Sequence, residues 1–204
     1  MIIPSGGAGA TFTVDTSEAL LVALYLRDRA GLGVIGSPRL PLLRPRVKPQ
    51  DERRVVAQAG SYATLQVEWE AWWRSLLRGR IASAQCPALP EFSSLRGMPA
   101  LRLLARAHSG AAGEWAQERC ADYVLHVAAR GAGRVESLLA RIVEERELDL
   151  GRKSRAFDLE IVELPLGAQR AWWVEPHVLL LCQDLAVDEP RFRSYVEPVV
   201  RMLA

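Results

Sequence analysis

Four constellations in the chain have residue types that could carry chemistry. Gly31-Leu32-Gly33-Val34-Ile35-Gly36 spells the G-x-G-x-x-G of a dinucleotide cradle. That cradle works when a strand delivers the glycines to the N-terminus of a helix facing the pyrophosphate. Here an apolar helical run precedes the glycines and a Pro-rich stretch follows them, so they read as a helix stop and a turn. Glu114, Glu118, Asp122 and His126 recur every four residues along one helix, and Asp122 with His126 could chelate an ion. The paired Glu-x-x-His of bundle di-metal sites and the H-E-x-x-H motif are both absent, which makes that face a solvated one with salt bridges. His108-Ser109-Gly110 sets a base beside a hydroxyl, but G-x-S-x-G is missing and neighbours on a loop do not align as base and nucleophile. Cys120 and His126, six apart, face different sides of a helix. No cofactor and no metal ion is expected.

A binding role is expected instead at the end of one strand. His177 opens a strongly apolar strand directly after Glu175-Pro176, and Trp172 and Trp173 stand in the strand before it. A strand-end histidine beside indoles can line a pocket wall, with Arg170 as a further polar contact. Adjacent residues on a strand project to opposite faces, so one of Trp172 and Trp173 is expected at the surface. Trp69, Trp72 and Trp73 recur at helical spacing and read as core. Exposed Trp with nearby Arg is typical of protein interfaces.

The elements that would position these residues follow from periodicity. Thr11 to Asp15 alternates as a short strand, and Asp15 with Glu18 makes a capping signal for a helix over 17–30. The centre of that helix, Ala19 to Leu26, is apolar all round and must be covered on several sides. Residues 37–50, with Pro38, Pro41, Pro45, Pro49 and no acid, read as an extended basic connector. Helices are expected over 61–78, 100–107, 112–129 and 134–147, with a loop carrying Pro87 and Pro90 between the first two. On the third, Ala116, Cys120, Tyr123, Val124 and Val127 are placed on one face. Strands follow at 157–161, 170–174 and 177–182, the last apolar on both faces and therefore central. Asp188 caps a final helix that contains Pro198. This order predicts an α+β fold: a helical block, an antiparallel three-strand meander and a C-terminal helix, with the N-terminal strand able to join the sheet. Residues 1–10 read as a flexible Gly-rich terminus and 11–204 as a single domain.

Composition narrows the function classes. The 204 residues are half apolar and a quarter charged, an ordinary globular mixture that can bury roughly 70 % of its unfolded surface. No apolar run is long enough to span a bilayer, and the N-terminal residues lack the pattern of a signal peptide. Cys86, Cys120 and Cys182 are odd in number and far apart, unlike an oxidised framework, so a cytoplasmic location is expected. Arginine outnumbers lysine 24 to 2, as in GC-rich bacterial genomes. The net charge is only +2, so nucleic acid is not the expected partner, and no aromatic interleaves the bases of residues 39–54, which excludes single-strand stacking; a third class, nucleic-acid binding through residues 39–54, would show as steeply salt-dependent retention. The expected function is that of a non-catalytic protein-interaction or self-associating protein, a homodimer by default. The alternative is a small-molecule-binding protein or enzyme with a pocket near the start of the 177–182 strand.

Overall fold

The computed structural model of the chain describes residues 2–4, 9–78, 95–174 and 176–204. Cys86, Pro87, Pro90 and Glu175 lie outside the described residues. The class is α+β, and the chain divides into two compact units. A sheet unit comprises Met1–Thr16, Tyr123–Leu164 and Ala168–Ala204; a helical unit comprises Ser17–Asp122 with Pro165–Gly167.

The sheet unit holds β1 (Ile2–Pro4), β2 (Ala10–Asp15), β3 (Phe157–Leu164), β4 (Ala171–Val174) and β5 (Val178–Cys182) in the order β1-β2-β3-β5-β4. Ile2–Pro4 lie within the 1–10 stretch and pair antiparallel with β2. The N-terminal strand β2 does join the sheet, beside β3 and parallel to it, with Phe12 opposite Leu159. The expected antiparallel meander is corrected: β3 and β5 are parallel neighbours, and among the described residues β4 pairs with β5 alone, antiparallel, at the edge. Burial explains the order. Val178-Leu179-Leu180-Leu181-Cys182 is buried at every position, so it takes a place with a strand on each side. All four residues of β4 are half-buried, which suits an edge. On β2, Ala10, Phe12 and Val14 are buried while Thr11, Thr13 and Asp15 are half-buried, so one face is core and the other partly open. Phe12 meets Phe157 edge-on at 6.0 Å. Helix α5 (Arg134–Leu150) lies against β2, α6 (Glu189–Leu203) against β4, and the two helices against each other.

In the helical unit, α1 (Glu18–Arg29) is buried at every position from Ala19 to Asp28. Its cap is Ser17, whose hydroxyl accepts from Leu20 N–H; Asp15 instead accepts from Thr16 N–H at 2.8 Å. Helix α3 (Tyr62–Arg78) covers α1 with Leu65, Trp69, Trp72, Trp73 and Leu77, all buried, and Trp69 Nε1 donates to Ala23 O at 2.8 Å. Trp69 and Trp73 stack at 5.4 Å. Gly36 is at φ +97°, and an added Cβ would lie 3.1 Å from both indoles, so the positive φ and the tight approach together favour glycine there.

The basic segment 37–50 is tied down. Arg27 and Asp28 are buried neighbours on α1. Arg27 Nη1 and Nη2 donate to Leu40 O and Pro41 O at 2.9 and 2.8 Å, and Asp28 Oδ2 accepts from Leu43 N–H at 2.9 Å. Leu40 and Leu43 are buried as a result. A short helix, α2 (Arg53–Val56), follows.

The helices expected at 100–107 and 112–129 form one element, α4 (Pro99–Arg130), whose N-terminal part belongs to the helical unit and whose C-terminal part belongs to the sheet unit. His108-Ser109-Gly110 is helix interior rather than loop. A glycine there costs about 1 kcal/mol relative to alanine, but the buried stripe Leu101, Leu104, Ala105, Ala112, Ala116 runs through in phase and carries the helix past it. Val124, expected on the buried face, is 66 % exposed.

Two outcomes follow. Replacing Arg27 by Met strips Asp28 of its partner inside the core and is expected to lower unfolding stability by about 3–5 kcal/mol. Urea unfolding with an unchanged slope would measure this, and a loss below about 1 kcal/mol would remove the clamp from the account. Near β3, Glu147 accepts from Lys153 Nζ and from Ser154 N–H and Oγ, and these bonds, Lys153 first, lower its pKa to about 2. A depressed carboxylate stabilises above its unfolded pKa, about 4.3, and loses that stabilisation as pH falls toward 2. The melting-temperature gap between wild type and Glu147→Gln is therefore expected to close over that interval; a gap constant with pH would refute it.

Candidate functional site

In sheets with parallel strands, ligand sites gather at the carboxyl ends of those strands. Strands β2, β3 and β5 are parallel, and their carboxyl ends bring together Asp15, Glu163 and Gln183. Helix α4 presents Tyr123, His126 and Arg130 to them, at i, i+3 and i+7 on one face. Glu163 is fully buried. Its Oε1 accepts from Arg130 Nη1 at 2.6 Å, and its Oε2 accepts from Arg130 Nη2 and from Tyr123 OH, the latter at 3.0 Å. His126 Nε2 donates to Gln183 O at 3.0 Å, which fixes the Nε2–H tautomer, and Arg130 Nη1 also reaches Gln183 O at 3.3 Å.

Burial and the adjoining Glu163 carboxylate push the Tyr123 phenol far above its ordinary range, so it stays a donor. Burial works against the Arg130 charge, but the hydrogen bonds and charge of Glu163 outweigh it and raise the pKa. Two guanidinium N–H groups and one phenol O–H occupy most of the lone pairs of the carboxylate, and all are internal to the protein. This arrangement orients a helix against strand ends, and the lone pairs of its carboxylate are committed to internal donors. Among the described residues no group of three or more His, Cys, Asp or Glu is placed to hold a metal ion.

The four residues singled out from sequence divide between the two ends of β4. Cys182 N–H donates to Arg170 O at 3.0 Å, and Arg170 Nε reaches Tyr195 OH at 3.3 Å. His177 lies past the other end of β4, before β5, and is exposed; its carbonyl accepts from Glu160 N–H at 2.8 Å. Several strand residues, on the order of 15 Å, separate Arg170 from His177. Trp172 and Trp173 lie between them, both half-buried and on opposite faces: Trp173 opposite Leu179, Trp172 opposite Leu180.

The remaining sequence constellations are also placed. Asp122 is exposed and pairs with Arg119 at 2.9 Å, apart from His126, and Glu114 and Glu118 are exposed, as on a solvated face. Ser109 Oγ donates to Arg106 O rather than to His108, while His108 Nε2 lies 2.7 Å from buried Glu52. Gly31 (φ +65°) closes α1, its N–H donating to Asp28 O, which is helix-stop geometry. Sequence reasoning missed Glu163. The signal was available: by strand alternation it shares the face of Leu159 and Ile161, where a lone carboxylate demands a buried partner.

No protein-family model, curated protein or solved structure matches the chain.

If the Glu163 cluster holds helix to strand, its loss reads as stability. Tyr123→Phe removes one hydrogen bond to a charged group and is expected to cost about 1.5–3 kcal/mol. Glu163→Ala strands a buried guanidinium and is expected to cost about 3–5 kcal/mol. Chemical denaturation checks both, and losses within about 0.5 kcal/mol, the range of an ordinary surface change, would contradict a bracing role.

Proposed function

We propose that the chain is a non-catalytic, self-associating protein of the cytoplasm whose contact surface is the open edge of β4. The observation that carries this reading is the pair of half-buried indoles, Trp172 and Trp173, on a strand that, among the described residues, is bonded on one side. The hydrogen bond from Cys182 N–H to Arg170 O sets the phase of the β4–β5 ladder. In an antiparallel ladder inward-bonded and outward-facing residues alternate. Residues 170, 172 and 174 therefore bond toward β5, and the N–H and C=O groups of Ala171 and Trp173 face the open edge.

Those groups are self-complementary. An antiparallel second copy centred on Trp172 places Ala171 against Trp173 of its twin, twice, with four backbone hydrogen bonds. Trp172 then stands directly across from its twin in the non-hydrogen-bonded position, where side chains approach most closely. On the opposite face each Trp173 indole lies across from a small Ala171 methyl. Such a contact is isologous and closes as a C2 dimer. The edge is short, so the indoles rather than the backbone would supply most of the affinity. The apolar helix α1 contributes nothing to this surface, since it is buried within its own chain. A small-molecule site at the start of β5 would need His177 and Arg170 to converge, and they lie at opposite ends of β4.

Sedimentation equilibrium tests the reading. Wild type is expected at twice 22.6 kDa at high micromolar concentration. Trp172→Ala is expected to weaken the dimer by about thirtyfold or more, the effect of losing a contact worth about 2 kcal/mol. Ala171→Pro removes an outward N–H while sparing the β5 ladder, and should do likewise with an unchanged circular dichroism spectrum. A wild type that stays monomeric, or a dimer indifferent to both substitutions, would overturn the proposal.

A further inference from the structure

The near-neutral total charge conceals a division between the two units. The helical unit, Ser17–Asp122 with Pro165–Gly167, carries 15 basic and 10 acidic side chains; the sheet unit carries 11 and 14. The excess is concentrated. From Arg29 to Gln50 the sequence has five bases and no acid, and Arg53 and Arg54 follow closely. Arg39, Arg44, Arg46, Lys48, Arg53 and Arg54 are all exposed. Among the described residues their one acidic neighbour within salt-bridge range is exposed Asp51, at 3.9 Å from Arg53. Glu52 is turned inward onto His108.

The backbone beneath these cations is fixed. Arg27 and Asp28 hold residues 40–43 from inside. Arg44 N–H donates to Pro165 O and Gln50 N–H to Arg29 O, both at 2.7 Å, and Arg29 Nη1 donates to Lys48 O at 3.0 Å. Pro38, Pro41, Pro45 and Pro49 restrict φ between those anchors. Exposed cations on a preordered backbone segment lose little further backbone freedom on binding. Like charges gathered on one short segment, with Asp51 their one acidic partner in salt-bridge range among the described residues, disfavour one another until an anion neutralises them.

The geometry points to residues 39–54 as a docking track for the phosphate backbone of duplex nucleic acid. Guanidinium groups, five of the six exposed cations, pair phosphate oxygens in a two-pronged fashion. Residues 37–57 contain no aromatic side chain. Base stacking, on which single-strand binders rely, is therefore absent, and duplex offers the denser phosphate charge. For the same reason the contact reads no base sequence. Membrane docking of a polybasic stretch is stabilised by apolar side chains that enter the lipid, and Val47, between Arg46 and Lys48, is half-buried in the protein itself.

Fluorescence anisotropy of a labelled short duplex, titrated with the full chain between about 50 and 200 mM KCl, tests this. Wild type is expected to bind at the low end, with affinity falling steeply as salt rises. Arg44→Gln/Arg46→Gln/Lys48→Gln should flatten the log–log salt slope by about 2.7, three contacts at about 0.9 each. Arg53→Gln/Arg54→Gln, a second and independent variant, should flatten it by about 1.8. Circular dichroism and urea midpoints establish that both variants fold. The charge-matched variant Arg141→Gln/Arg152→Gln/Arg201→Gln, in the sheet unit, should keep the wild-type slope. No binding at low salt, equal binding by the basic-segment variants, or equal loss in the control would each overturn the inference. So would retention on phosphatidylserine vesicles or polyglutamate without retention of duplex.

Discussion

A guanidinium and a carboxylate on consecutive residues, both sealed from water, hold the helical unit together. Burial alone would expel both charges: it lowers the pKa of Arg27 and raises that of Asp28. They remain because each satisfies the other, Arg27 Nε lying 2.7 Å from Asp28 Oδ1, and because their remaining hydrogen-bonding capacity is used on main-chain groups of the following segment. That segment is rich in proline and, among the described residues, closes a single antiparallel bridge, Leu43 with Leu166, rather than a helix or a full ladder. Its carbonyls at Leu40 and Pro41 and its N–H at Leu43 would otherwise be buried without partners. The ion pair thus supplements that one bridge where backbone bonds are missing. It lets Leu40 and Leu43 enter the core while the cations around them stay in water.

The sheet unit meets its own constraint through side-chain polarity. Three parallel strands need cover, and the strand with no polar residue takes a position between two others. The strand carrying two indoles stays at the rim, where a large side chain can lie half in solvent. Glu163, the one carboxylate on the apolar face, forces a matching donor set onto the helix that packs there, so Tyr123 and Arg130 are consequences of a single strand residue. Arg141 with Glu189 and Arg193 with Glu145 link α5 and α6 at the surface, where such pairs contribute little each.

Much of the secondary structure was legible in the amino-acid pattern, because periodicity and capping are local. The helices over 61–78 and 134–147, the Asp188 cap and the strands β2 to β5 are found within a few residues of where the pattern placed them, whereas β1 (Ile2–Pro4) falls in the stretch read as a flexible terminus. Strand order was not legible. Pairing β3 with β5 across β4 is a long-range choice, and nothing in the six residues 165–170 announces it. The break read at His108-Ser109-Gly110 followed from giving glycine more weight than the apolar stripe running through it. The candidate residues divided in the same way. Adjacent tryptophans on a strand predict opposite faces from local geometry, and they have them. Convergence of Arg170 with His177 depended on the register of a hairpin, which no local pattern specifies. Glu163 was overlooked because a single acid in a strand resembles surface charge until its neighbours on the same face are counted.

The position of β2 bears on how the chain reaches its folded state. Phe12 ends beside Leu159, so a strand synthesised at the start must await one made near the end. Sheet completion is thus a late event across a very long loop, a topology associated with slow folding. Made after β3, the uncharged stretch Val178–Cys182 has both faces apolar, the sort of segment that recruits strands from other molecules until it is paired. Pro176 on one flank and Asp184 on the other are the residue types, a proline and a charge, that interrupt such a segment.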